Sequence, residues 1–188
     1  MKKFIAITLA VLTLFSVMVF TASAEDEIVA RMWFCSEISK NTGIGHTFLY
    51  FENLTDHPIM VGRYEVAPYE DVSVGTFGTE GPRGGGLYYN NEQDLTHYRS
   101  LLGVSEELTA GELQAVTNKI KDYNHWDVFK NCYYFTSMGW NAGADNDIPF
   151  LLIPGFARLI MQIRGAKKNF VDLFSQNDPV YKQSELPG

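Results

Sequence analysis

Along the chain, apolar positions first repeat every two residues and later every three to four, which predicts strands followed by helices. Residues 28–34 alternate and end in Trp33 and Phe34, while 47–51 and 59–66 are rich in β-branched and aromatic side chains, so all three read as strands. Between the last two, Asn53-Leu54-Thr55-Asp56-His57-Pro58 carries turn chemistry and predicts a hairpin. Pro68 marks a break, 72–77 reads as another strand, and 78–86 is a glycine-rich loop before a short strand through Leu87-Tyr88-Tyr89. Residues 97–104 fit strand or helix, with strand preferred. The period then changes. Thr109-x-x-Glu112 has the spacing of a capping box, followed by Leu113, Val116 and Ile120 on one face, predicting a helix over about 110–123. Asn131 can cap a second helix ending near Gly143, with Phe135, Met138 and Ala142 on its buried side. A third helix fits between Pro154 and Gly165. The predicted class is α+β, an antiparallel β-sheet packed against helices.

The first residues change the picture of where this domain works. Lys2 and Lys3 precede an uncharged apolar run over 4–20, and Ala22-Ser23-Ala24 follows it, so residues 1–24 read as a secretory signal peptide cleaved after Ala24. The competing reading is an uncleaved anchor, because the run is nearly long enough to span a bilayer. With cleavage, 25–188 forms a single domain with a C-terminal helical extension, secreted to an extracellular or periplasmic space. Losing Lys2 and Lys3 leaves 13 of the 15 basic residues against all 22 acidic ones, a net charge of −9. Such a surface repels phosphates and anionic headgroups, so neither nucleic acid nor stable membrane association is expected of the mature chain.

Two cysteines carry the candidate chemistry. Cys132 opens the Asn131-capped helix, where unpaired N–H groups and the helix dipole stabilise a thiolate and can hold an oxyanion. His46, preceded by Gly43-Ile44-Gly45, stands on an earlier predicted strand and is the candidate general base. Cysteine arithmetic offers a rival, since an exported chain with only Cys35 and Cys132 fits one disulfide equally well. Cys35 nevertheless lies in Met32-Trp33-Phe34-Cys35, where a reduced thiol can pack as a small hydrophobe. Tyr133, Tyr134 and Trp140 fit core or rim better than a substrate groove. Asn124 and His125 stand shortly before Cys132, where a polar oxyanion partner would be useful. His97 and His125 lack metal-ligand spacing, and the 78–86 loop lacks the Lys-Ser/Thr ending of a phosphate loop, so no metal and no cofactor is expected. Asn53-Leu54-Thr55 matches the N-glycosylation acceptor pattern, which is relevant only in a eukaryotic secretory pathway.

Gly45-His46-x-Phe48-Leu49-x-Phe51-x-Asn53, Ile59-x-Val61-Gly62, Val74-Gly75-Thr76-Phe77-Gly78, Gly86-Leu87-Tyr88-Tyr89-Asn90, and Asn131-Cys132-x-x-Phe135 with Trp140-Asn141 together resemble secreted bacterial proteins of the circularly permuted NlpC-like group in the papain-like superfamily. In that group the histidine strand precedes the cysteine helix, as in lecithin:retinol acyltransferase-like enzymes. The resemblance covers about residues 28–142. It implies a permuted papain-like fold, with Cys132 as nucleophile and His46 as base. Its implied activity is that of a cysteine hydrolase of peptidase or amidase type, acting on a cell-wall (peptidoglycan) peptide or another extracellular amide. A lipid acyl hydrolase or transferase is a second enzymatic reading. A catalytically inactive, disulfide-stabilised binding or effector domain is the non-enzymatic one. The third, orienting residue has two candidates. A hairpin turn near 55–58 would set Ala67 opposite His46 and make Glu65 the nearest polar neighbour on that face, whereas analogy with the acyltransferase-like enzymes points to His57.

Overall fold

A computed structural model describes residues 27–38, 45–79, 81–94, 101–150, 155–170 and 178–187. The expected signal peptide, Gly43, Ile44, His97 and Pro154 lie outside the described residues. The protein is α+β. Its main sheet is built from β1 (Ile28–Ile38), β2 (Gly45–Asn53), β5 (Asp71–Phe77), β6 (Gly86–Tyr89), β7 (Leu102–Thr109), β8 (Lys167–Lys168) and β9 (Tyr181–Lys182). These run in the order β8-β7-β1-β2-β5-β6-β9, with every neighbouring pair antiparallel.

Strand alternation divides the apolar residues between two faces. Ala30, Met32 and Phe34 of β1 and Leu49 and Phe51 of β2 join the large core, under α1 (Ala110–Ile120) and α2 (Cys132–Gly143). Trp33, Cys35, Phe48 and Tyr50 point the other way and are covered by Leu101 and by Phe170, which stacks on Trp33 at 3.7 Å. Burial on both faces is why Thr47-Phe48-Leu49-Tyr50-Phe51 is a continuous apolar run instead of an alternating one.

The capping box at Thr109 forms as predicted: Glu112 N–H donates to Thr109 Oγ1 and Thr109 N–H to Glu112 Oε2. The helix ends at Ile120, three residues early. Asn131 caps α2, which ends at Gly143. Of its expected buried residues Phe135 is fully buried, whereas Met138 and Ala142 only pack against the core edge. Tyr133 and Trp140 are core, meeting Phe34 edge-on. The described part of the third helix, α3, is Gly155–Ile163.

Two expectations fail together. Residues 59–66 do not form one strand pairing with β2; they fold into a separate hairpin of β3 (Ile59–Val61) and β4 (Tyr64–Val66). The chain reverses at Gly62, whose φ of 64° favours glycine, and β2 is left to pair with β1 and β5. Asn53 is the other half of the explanation. Its amide donates to the carbonyls of His57, Val66 and Ala67, and its Oδ1 accepts from Thr55 N–H and Oγ1–H, so it ties off the turn. Buried and fully engaged, Asn53 cannot serve as the glycan acceptor its sequence pattern suggests.

Candidate active site

Cys132 is the first helical residue of α2, and the cap places it. Asn131 is extended (φ −83°, ψ −173°), and its Oδ1 accepts from Tyr133 N–H at 3.0 Å and Tyr134 N–H at 3.2 Å. The cap therefore uses two of the first-turn donors that an oxyanion could have claimed. Cys132 N–H is the first-turn donor it does not take.

The thiol packs against the start of β2. It lies beside the His46 side chain and beside both the backbone and the side chain of Thr47, all of which favour its ionised form. Thr47 is itself held by Thr136, whose hydroxyl lies 3.3 Å from Thr47 Oγ1 and 2.8 Å from the Cys132 carbonyl it donates to. Burial alone would push the Cys132 thiol up, but the His46 contact and charge together with the Thr47 hydrogen bonds outweigh it and hold the pKa below its ordinary value. His46 shifts the opposite way. Burial works against its charge, yet the bonds and attractions to Cys132 and Glu92 raise it to about 10. Both shifts favour a thiolate–imidazolium pair.

The third member is Glu92, in the short 3-10 turn Asn91–Asp94 that follows β6. Its fully buried carboxylate sets Oε1 3.3 Å from His46 Nε2 and accepts from Ser73 Oγ–H on Oε2 at 2.6 Å. Asn90, with a φ of 60°, locks this turn to β5: Asn90 N–H donates to the Ser73 carbonyl and Ser73 N–H to Asn90 Oδ1. Gly75 makes the approach possible. A Cβ there would lie 2.0 Å from Glu92 Oε1 and 3.2 Å from His46 Nε2. Phe77 and Phe48 flank the imidazole at 4.7 and 5.8 Å and complete its burial.

Of the residues singled out from sequence, Cys132 and His46 are thus brought together, and the two proposed orienting residues are not. Glu65 is exposed on the β3–β4 hairpin opposite Met60, because β4 never pairs with β2. It lines a surface cavity of about 790 Å³ with Arg63, Lys121, Asp122 and Tyr181, away from Cys132. His57 is exposed in the turn, beside Asp56 at 3.2 Å. His125 is exposed and bonded to Asp127, and Asn124 accepts from Leu87 N–H, so neither serves Cys132. Cys35 and Cys132 are both free thiols, so the bridge weighed from the sequence is absent. Cys35 lies buried among Trp33, Phe48 and Tyr50.

Glu92 carried one faint signal in the sequence. A glycine inside the apolar strand Val72-Ser73-Val74-Gly75 marks a close approach by something, but nothing local says that the approaching group is an acid 17 residues later. Among the described residues there is no group of three or more His, Cys, Asp and Glu side chains that could hold a metal, and no helix is long and apolar enough to cross a membrane. No protein-family model, curated protein or solved structure matches this chain.

Proposed function

We propose that this protein is an exported cysteine hydrolase of permuted papain-like (NlpC-like) type that cleaves an amide bond. The observation that carries the reading is the buried chain Cys132–His46–Glu92, a thiol beside an imidazole whose Nε2 lies 3.3 Å from a carboxylate oxygen. The Cys132 thiolate attacks the amide carbonyl carbon, and Cys132 N–H donates to the developing oxyanion. As the C–N bond breaks, imidazolium His46 gives its proton to the departing amine. Water then attacks the thioester carbon while His46 takes a proton from it, the C–S bond breaks, and the carboxylic acid leaves with the thiolate restored. With Nε2 held by Glu92, the travelling proton uses the other ring nitrogen. Glu92 orients the ring and stabilises its charged form, and Ser73 in turn orients Glu92.

Labelling of the purified protein with an electrophilic amide-mimicking probe tests this. Cys132→Ala should abolish labelling and His46→Ala should slow it severely. Glu92→Gln keeps the shape but removes the charge, and should lower turnover by about a hundredfold or more. Undiminished turnover in Glu92→Gln would remove Glu92 from the site, and undiminished labelling in Cys132→Ala would remove the nucleophile.

A further inference from the structure

Two acidic side chains, not one, stand beside His46. β2 lies between β1 and β5 in the sheet, and each flank brings an acid to the ring. Glu92 arrives over Gly75 of β5, with its Oε1 3.3 Å from His46 Nε2. Glu37 arrives from β1, where the antiparallel register sets it directly opposite His46. Directly opposed residues of an antiparallel pair leave the sheet on the same side, with Cβ atoms about 5 Å apart, so the Glu37 side chain lies alongside the imidazole.

The two acids are held differently. Glu92 is engaged through both oxygens, by His46 and by the Ser73 hydroxyl. Glu37 is buried as deeply, yet neither of its oxygens has a hydrogen-bond partner among the described residues. An unpaired carboxylate in such a place carries its desolvation cost in full, and an apolar side chain of similar size would fill the space without it. A group kept at that cost calls for a role, and its neighbour across the strand pair is the imidazole. Among the described residues, the titratable groups around it are His46 on β2, Glu92 on the turn after β6 and Cys35 on its own strand; β7, on its other side, ends at Leu102 opposite Ser36. Burial keeps Glu37 protonated at neutral pH, against the attraction of His46 and with the repulsion of Glu92 adding to it. It ionises at about pH 8, while His46, raised to about 10, is still an imidazolium.

Resting on the reading of Cys132 as nucleophile and His46 as its acid and base, we propose that Glu37 is a second positioning residue for His46. As the neutral acid it leaves the imidazolium free to give its proton to the leaving amine, and as the carboxylate it holds that proton back. A full negative charge beside the ring makes the imidazolium a weaker acid. Ionisation of Glu37 therefore sets the alkaline limit of the reaction, below the pH at which His46 itself loses its proton.

The experiment follows two reactions of Cys132 and one resonance of His46 from pH 6 to 10.5 in the purified protein. Iodoacetamide forms its C–S bond as iodide leaves and takes no proton from His46. N-acetylaminoacetonitrile does take one: the thiolate adds to the nitrile carbon, and the nitrogen accepts the imidazolium proton to give a thioimidate. Between pH 7 and 9 the nitrile rate of the parent, relative to its iodoacetamide rate, should fall about tenfold. Glu37→Gln should hold that ratio within about twofold, and Glu37→Asp, which keeps the charge, should restore the fall. The imidazole carbon resonance of His46 should move in two steps in the parent, at about pH 8 and about pH 10, and should lack the first step in Glu37→Gln. A nitrile profile or a His46 titration in Glu37→Gln that matches the parent would overturn the role of Glu37. So would a Glu37→Asp variant behaving as Glu37→Gln does, which would trace the change to packing, and so would an absence of nitrile capture at every pH. Failure of iodoacetamide to modify Cys132 would overturn the nucleophile and the role of Glu37 with it, whereas ordinary iodoacetamide labelling beside any of the other negative results would overturn Glu37 alone.

Discussion

Glu37 stands directly opposite His46 on the neighbouring strand, fully buried, with both carboxyl oxygens lacking a hydrogen-bond partner among the described residues. Burial pushes its pKa up to about 8; the attraction of His46 pulls it down and the repulsion of Glu92 adds to the rise. An acid whose folded pKa lies above its ordinary 4.5 keeps its proton longer in the folded state, so its cost is absent at low pH and grows as pH rises from about 4.5 to 8. Glu37→Gln should therefore gain stability relative to the parent across that window, read as diverging melting temperatures between pH 5 and 8.5. The raised His46 loses its own contribution between its ordinary 6.5 and about 10 in both proteins, so parallel curves would show that Glu37 costs nothing. Little of this was legible beforehand. Glu37 reads as an ordinary strand-end charge, and only the β1–β2 register turns it toward His46. His46 and Cys132 were legible because each sits beside a local signal, a glycine on one side and a helix cap on the other.

At the scale of elements, caps and turns act through neighbours in sequence, which is why they could be read directly. Asn131 accepts two first-turn N–H groups and is the only side chain doing so at α2 among the described residues. Asn131→Ala should cost about 1 kcal/mol of stability, measured by chemical denaturation, and should raise the thiol pKa by loosening the helix start. A variant as stable as the parent, with an unchanged pH dependence of alkylation, would show that the cap is replaceable. Strand partners were less legible. The turn chemistry of 53–58 is real, yet it leads into an independent hairpin because Gly62 reverses the chain and Asn53 bonds across to Val66 and Ala67. A pattern of apolar residues marks a strand without naming the strand it joins.

Across the whole molecule, the fold holds its two thiols apart and in different chemical states. Burial pushes Cys35 well above the ordinary thiol range, with Glu37, Glu92 and Glu52 adding to the rise, while His46 and Thr47 hold Cys132 below it. In the folded, unreduced protein one thiol should react with a disulfide reagent at neutral pH and that thiol should be Cys132; Cys35 should react only on unfolding. Two thiols reacting at equal rates, or none, would contradict this separation. By itself, the sequence determined the local and compositional properties: the α+β class, the capped helices, the place of Cys132 at a helix start, and a net negative charge. The identity of the histidine's carboxylate partner was decided only by tertiary structure. Glu92 reaches His46 because β5 lies between β2 and β6, because Gly75 leaves room, and because Ser73 holds the carboxylate. Those three conditions join residues from separate strands, and strand order depends on long-range pairing that no local pattern encodes.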